Sequence, residues 1–427
     1  MVVPSGAPAP RVWPPIVFPD RHVTRARSIA TLLFAYGVLT GAPACRTDRR
    51  DAKPDKPAAA SAASEVAEVA EDAGVDTRAL AAARRAVNAA QAPAIAFAAV
   101  SRTAVVTSGA VGFADDTTRA AATGDTVFHA ASIGKLIVAT CVMQLVEDKK
   151  LDLDHDVSTY VGFVVRHPRF PKTVITLRML LAHRASIHDR VDELRAASSD
   201  RPLGPFLRAY LDGAGHDAAA PAFLAAAPDT STAYSNVGAA LAALAVEQVS
   251  HEPFARLSAR RVFAPLGMTT ARWSASRGAT PATGSAATPH VHRRARFSPL
   301  PHASHAVYPA ADLYASARDL ARFTRAVLSG GALDGARVLA ERSVTTMLGS
   351  ADGERPLAWQ LRTIGGAALA GHEGEDDGAS TALFLDVATG TGAVVLANAD
   401  AFASGDAARA AAFPALITEL LTIARCR

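Results

Sequence analysis

Residues 77–91 repeat Ala, Leu and Arg at helical spacing behind Asp76, whose short carboxylate suits an N-cap. Two apolar runs follow, 94–100 and 104–111, split by Ser101-Arg102-Thr103, and this pattern predicts a hairpin. Residues 132–147 predict a helix apolar nearly all round, and a helix of that kind is buried. Residues 150–175 show no clear period, whereas 178–182 and 237–249 predict further helices. The stretch 273–308 is rich in Ser, Thr, Pro, His and Arg and predicts long loops, and 317–328 predicts a helix. Residues 367–370, 381–387 and 393–397 predict successive antiparallel strands, the last two joined by a Thr389-Gly390 turn, and 406–423 predicts a closing helix. Strands at both ends with helices between them predict a mixed α/β (α+β) fold: an antiparallel sheet built from both ends of the chain, flanked by helices, with a helical subdomain inserted at about 150–310. No internal repeat is visible.

Ahead of this body lies a different kind of sequence. Arg21, Arg25 and Arg27 precede an apolar run over residues 28–40, then Gly41-Ala42-Pro43-Ala44-Cys45. A positive segment, a short apolar segment and small residues before a cut predict an export signal over 1–45. Cys45 sits where a lipid could be attached to a new N-terminal residue, and Ala42-x-Ala44 also fits ordinary cleavage. Residues 46–75, rich in Ala, Asp, Glu, Lys and Pro, predict a flexible linker ahead of one large domain over 76–427. The expected location is the periplasm or cell envelope, with a membrane tether through Cys45 as one form of it.

Composition and charge narrow the functional classes. Half of the 427 residues are hydrophobic and one fifth are charged, which is globular, and no apolar run is long enough for a polytopic membrane protein. The formal charge of +4 is mostly in the leader, so the body is near neutral and offers no footprint for nucleic acid. Three cysteines cannot form a disulfide framework, and whether Cys141 and Cys426 pair is not legible. Only six of the basic residues are Lys, so Lys135 inside an apolar helix stands out.

Three short elements carry candidate chemistry. Ser132 and Lys135 lie three apart at the start of the apolar helix and so share a face. A lysine in a dry site loses its proton more readily and becomes a usable base, beside a hydroxyl and the free N–H groups of a helix start. The bland alternative is Ser132 as an N-cap and Lys135 reaching to solvent. Tyr234-Ser235-Asn236 precedes the helix at 237; in an extended segment Tyr234 and Asn236 point the same way, a phenol to relay a proton and a carboxamide to bind a carbonyl. A plain capping turn is the alternative. His372-Glu373-Gly374 is expected at the end of a strand, before a polar loop, with His372 as a titratable donor and Gly374 allowing close approach. A surface turn is the alternative there.

Taken together, in this order and spacing, the elements resemble the serine beta-lactamase and penicillin-binding-protein superfamily, in its class C-like branch with esterases and D-Ala carboxypeptidases. The resemblance runs from about 93 to 422. It includes Phe128-His-Ala-Ala-Ser-Ile-Gly-Lys135, Leu151-Asp-Leu-Asp-His-Asp-Val157, Ile175-Thr-Leu-Arg-Met-Leu-Leu-Ala-His183, Pro265-Leu-Gly-Met268 and Ser316-Ala-Arg-Asp-Leu-Ala-Arg-Phe323. It implies that Ser132 is acylated, that Lys135 and Tyr234 share the proton transfers, and that Asn236 holds the substrate carbonyl or amide. It places His372 and Gly374 in the third motif and the oxyanion hole at the backbone N–H groups of Ser132 and Glu375. No metal and no organic cofactor are implied. The expected substrate is a small molecule or peptide, with peptidoglycan as a candidate contact. The rival class is a non-catalytic peptidoglycan-binding or sensor module on the same fold.

Two departures matter. Arg184-Ala185-Ser186-Ile187 stands where relatives often have Thr-Ser-Gly after the histidine, and Glu373 with Glu375, Asp376 and Asp377 makes the third motif acidic. Such a cluster is expected to repel a substrate carboxylate and to suit a neutral ester or a free amine; the alternative is that these acids face solvent. His290, His292, His302 and His305 crowd into one stretch, but their Pro, Ser and Arg neighbours predict a loop rather than a metal site.

Overall fold

The computed structural model describes residues 74–197, 200–212, 222–274, 286–293, 296–349, 355–401 and 407–426. The expected export signal with Cys45, and the linker up to 73, lie outside the described residues. The chain divides into two units, Met1–Ser64 and Glu65–Arg427, and all described residues belong to the second.

Helix α1 (Thr77–Ala90) starts behind Asp76, whose carboxylate accepts from the N–H groups of Arg78 and Ala79, as its sequence predicts. Strands β1 (Ala94–Ser101) and β2 (Val105–Asp115) form the expected hairpin. Strand β3 (Val127–Ala131) leads into α2 (Gly134–Glu147), and α3 (Asn236–Ser250) follows the insertion. Next come β4 (Leu313–Ser316), α4 (Ala317–Leu328), β5 (Gln360–Ile364), β6 (Ala367–Asp376), β7 (Ala379–Asp386), β8 (Thr391–Ala397) and α5 (Ala407–Arg425). The main sheet has the order β5-β6-β7-β8-β1-β2, with the two-residue Ala120–Ala121 at its outer edge. Its centre joins the two ends of the chain: β1 pairs antiparallel with β8 from Ile95↔Ala397 to Ser101↔Thr391.

Side chains alternate across this sheet with period two. Ile95, Phe97 and Ala99 face α1 and α5, whereas Ala96, Ala98 and Val100 face the layer that holds α2 and α4. Helices on both faces explain why 94–100 is continuously apolar instead of alternating. Between 150 and 310 the longer regular elements among the described residues are helices, including Leu177–Leu181, Leu203–Asp212, α3 and Phe254–Ser258, joined by long irregular stretches. No described helix is long and apolar enough to cross a membrane.

Several sequence expectations need correction. Residues 273–308 are not only loop: His290–Arg293 pairs with Arg296–Pro299, and Tyr308–Ala311 is a helical turn. Strand β5 was not expected, and β6 runs six residues beyond Ala370, carrying His372, Glu373 and Gly374 in mid-strand rather than at its end. The helix expected from Ser132 begins at Gly134. Cys141 is buried, Cys426 is exposed and both are free.

Candidate active site

The turn between β3 and α2 presents Ser132. Ala131 adopts a left-handed conformation (φ 47°), a state that costs a non-glycine residue about 1 kcal/mol or more. The strand therefore bends sharply into the helix. Thr381 on β7 ties this turn down, its hydroxyl donating to the Ala130 carbonyl at 3.1 Å. That bond passes Gly374 on β6. A Cβ there would lie 2.3 Å from Thr381 Oγ1, 2.8 Å from Ala130 O and 3.1 Å from Ser132 N. Gly374 is thus required for close approach of β6 to the turn that carries Ser132. Gly374→Val is expected to cost about 1–3 kcal/mol in thermal unfolding and to displace Ser132. Unchanged stability together with unchanged Ser132 reactivity would contradict the contact.

Lys135 is fully buried, and its Nζ lies 2.9 Å from Ser132 Oγ, 2.7 Å from Asn236 Oδ1 and 2.6 Å from the Ala310 carbonyl. Burial lowers its pKa to about 7, partly opposed by the Asp189 and Asp376 carboxylates. As an ammonium it donates to all three oxygens. With one proton lost, its two remaining N–H groups are held by Asn236 Oδ1 and Ala310 O, which can only accept. The lone pair then falls to the Ser132 hydroxyl, the only one of the three with a proton to give. This arrangement rules out the alternative in which Lys135 reaches to solvent.

Tyr234 donates its hydroxyl to Ser132 Oγ at 2.7 Å. Burial raises its pKa, with the Ser132 hydrogen bond acting the other way, so near pH 7 it is a neutral donor and not a base. Its ring lies 4.6 Å from the His183 ring and 4.7 Å from Lys135 Nζ. Ser235 caps α3, its Oγ accepting from Gly238 N–H at 2.9 Å. The segment therefore both caps a helix and serves the site, with each role on a different residue.

Two histidines flank the phenol in opposite tautomers. His183 Nδ1 accepts from the Ser235 N–H at 3.2 Å, so its proton sits on Nε2. His372 Nδ1 donates to the Glu373 carbonyl, which leaves Nε2 as an acceptor. Burial, then the nearby Lys135, lowers His183 to about 3 and takes His372 well below its usual value, so both stay neutral. His372 is thus an acceptor at Nε2, where a titrating donor was expected.

The acidic residues beyond His372 divide by strand alternation. Glu373 pairs with Arg362 of β5 at 3.4 Å, and Asp377 with Arg195 at 3.1 Å. Asp376 lies on the same face as His372 and Gly374, 3.5 Å from His305 Nε2, while His305 Nδ1 meets the buried Asp312 at 2.5 Å. Burial works against a charge on His305, but the Asp312 hydrogen bond and the two carboxylates raise it to about 9. Asp312, His305 and Asp376 then sum to one negative charge at neutral pH. The expected block of uncompensated acid is therefore smaller than the sequence implies, and the acids do not simply face solvent. Pairing of β6 with β5 ends at Gly371↔Gln360, so beyond it β6 is paired on one side only among the described residues.

Sequence reasoning overlooked three contributors. Asp189 and the Ala310 carbonyl carry no motif of their own, since each reaches the site through folding. His183 was visible only as the last residue of a helix pattern. The histidine-rich stretch does not converge: His302 packs on Tyr314, His305 on Asp312, and no described group of three or more His, Cys, Asp or Glu could hold a metal. Arg184, in the departing segment, pairs with Asp229, and Ser186 Oγ donates to Ala226 O at 2.6 Å. Asp154 and Asp156, either side of His155, pair with Arg178 and Arg166.

A family model described as beta-lactamase matches residues 78–416. Among curated relatives, penicillin-binding protein 4 of Amycolatopsis lactamdurans is 33% identical over 152 residues, covering 35% of this chain. The chain spans only 37% of that relative's length. Among solved structures, the octameric penicillin-binding protein homologue from Pyrococcus abyssi aligns with a TM-score of 0.65 at 19% identity, over 81% of this chain and 76% of its own. The D-amino acid amidase from Ochrobactrum anthropi SV3, complexed with L-phenylalanine amide, aligns with a TM-score of 0.64 at 19% identity, over 81% and 99%. These likenesses show a shared fold.

Proposed function

Because the chain belongs to the beta-lactamase family, we propose that it is a serine hydrolase that cleaves amide or ester bonds through an acyl-enzyme on Ser132. One observation carries this: Lys135 Nζ has both amine protons committed to carbonyl oxygens, so its lone pair faces Ser132 Oγ, while Tyr234 donates to that same oxygen. A binding module has no use for a nucleophile matched to a neutralised base.

The steps follow from these contacts. Lys135 takes the Ser132 proton as Oγ adds to the substrate carbonyl carbon. The oxyanion forms opposite the backbone N–H groups that the family pattern assigns to Ser132 and Glu375. Lys135, now an ammonium, returns the proton to the leaving amine or alkoxide, with Tyr234 bridging through its hydroxyl. The carbonyl–leaving-group bond breaks, and water repeats the sequence to free Ser132. Asn236 orients Lys135 through Oδ1, and its NH2 is the half that can donate to a substrate oxygen.

For the substrate, an acyl group bearing an amine fits better than one bearing a carboxylate. The Asp312–His305–Asp376 chain places net negative charge on the β6 face that carries Gly374. A cation gains from this and a carboxylate is repelled. The amidase named above acts as a fold-level precedent for an amino-acid amide. D-phenylalanine amide, p-nitrophenyl acetate and nitrocefin, assayed side by side, test the proposal. Amide or ester cleavage exceeding nitrocefin turnover is expected. Fast nitrocefin turnover with neither of the others would overturn the substrate class. Failure of a fluorophosphonate probe to label Ser132 would return the non-catalytic, peptidoglycan-binding alternative.

A further inference from the structure

We infer that Asp189 is the positioning residue that holds the Tyr234-Ser235-Asn236 segment in register with Lys135; this rests on the hydrolase reading above. Asp189 lies in the loop between the helices Leu177–Leu181 and Val191–Ala196. Its Oδ1 accepts from the Ser235 hydroxyl at 2.8 Å and from the Val237 N–H at 3.2 Å, and its Oδ2 from the Asn236 N–H at 2.5 Å. One carboxylate thus gathers three donors from the consecutive residues that end in α3. Backbone N–H groups at a helix start otherwise lack partners, and a carboxylate satisfies them better than a neutral acceptor.

Position and charge are linked here. Asn236, fixed by its own N–H, presents Oδ1 to Lys135; Tyr234, two residues earlier, presents its hydroxyl to Ser132. A small rotation of the segment would move both contacts at once. The groups around Lys135 are Asp189 and Asp376, both negative, and His183, His372 and Tyr234, all neutral near pH 7. Burial favours the neutral amine, and the two carboxylates oppose it. Asp189 is the one that also touches the catalytic segment.

Asp189→Asn tests this, because it keeps the shape but removes the charge and puts an NH2 against existing donors. Lys135 is one of six lysines, so carbon-13 NMR of ε-labelled lysine can follow its titration, assigned by its absence in Lys135→Met. The expected result is a midpoint near 7 in the parent protein and lower by at least about half a unit in the variant. The acid limb of kcat/KM for p-nitrophenyl acetate should move with it, and kcat should fall at least about tenfold while KM changes little. Asp189→Glu, which keeps the charge but shifts it, should hold the midpoint and still lose kcat; it also serves if the Asn variant does not fold. An unmoved midpoint in Asp189→Asn, with kcat unchanged or falling only as far as stability does, overturns the inference. If the lysine titrates as expected but the parent protein hydrolyses nothing, the hydrolase reading falls and the hold of Asp189 on Lys135 stands.

Discussion

Replacing Ser132 by Ala eliminates fluorophosphonate labelling and lowers kcat/KM toward p-nitrophenyl acetate by at least about 10³-fold. The size follows from geometry. Ser132 Oγ is the shared partner of the Lys135 amine and the Tyr234 hydroxyl, at 2.9 and 2.7 Å, and no second hydroxyl bridges them in the described residues. Without the oxygen the base and the donor have nothing to act on. Stability should change far less, by about 1 kcal/mol, because only hydrogen bonds to one hydroxyl are lost. Folded variant with full residual turnover would refute the assignment of Ser132. The double variant Ser132→Ala with Lys135→Met should be no slower than the slower of the two single ones, since residues acting as a unit are not additive.

Lys135→Met separates catalysis from stability. Turnover should fall by about 10²–10⁴-fold, the usual worth of a general base. In the parent protein the same limb should rise with pH through about 7, as the amine loses its proton. The stability consequence has a definite sign. The folded pKa of about 7 lies below the ordinary lysine value of 10.5. Between those values the unfolded chain binds one proton more than the folded one, so stability from this group rises as pH rises across that window. Below about 7 both states are protonated and the buried charge is simply a cost. Methionine removes the charge at similar volume, so the rise should vanish, and the variant should lose least, or gain, at neutral pH relative to pH 10. It does leave Asn236 Oδ1 and the Ala310 carbonyl without the ammonium, which offsets part of that gain. Denaturant midpoints across the window measure the difference. A parent curve with no such rise would mean that Lys135 is charged when folded at pH 9.

How far the sequence reached depends on the range of the interaction behind each feature. Helix α1 with its Asp76 cap, the β1–β2 hairpin, α4 and the apolar character of α2 follow from neighbours within a few positions, and each was legible. The three motifs were visible because their residue types contradict their surroundings, as a lysine does within an apolar helix. The extent of β6 was not legible. Its outer half carries Glu373, Glu375 and Asp376, which read as loop, and it forms a strand because β7 pairs with it and Arg362 and His305 meet two of those acids. The reversal of His372 from donor to acceptor was hidden as well, since it depends on which ring nitrogen meets the Glu373 carbonyl.

By itself, then, the order of residues determined the mixed fold, the joining of both chain ends in one sheet, and the kinds of group available for chemistry, because periodicity and composition act locally and sum along the chain. Tertiary structure alone decided the proton affinity of Lys135. That depends on exclusion of water, on a backbone carbonyl at Ala310 and on carboxylates at Asp189 and Asp376. Proton affinity is set by everything within a few ångströms, and those neighbours come from positions that folding brings together.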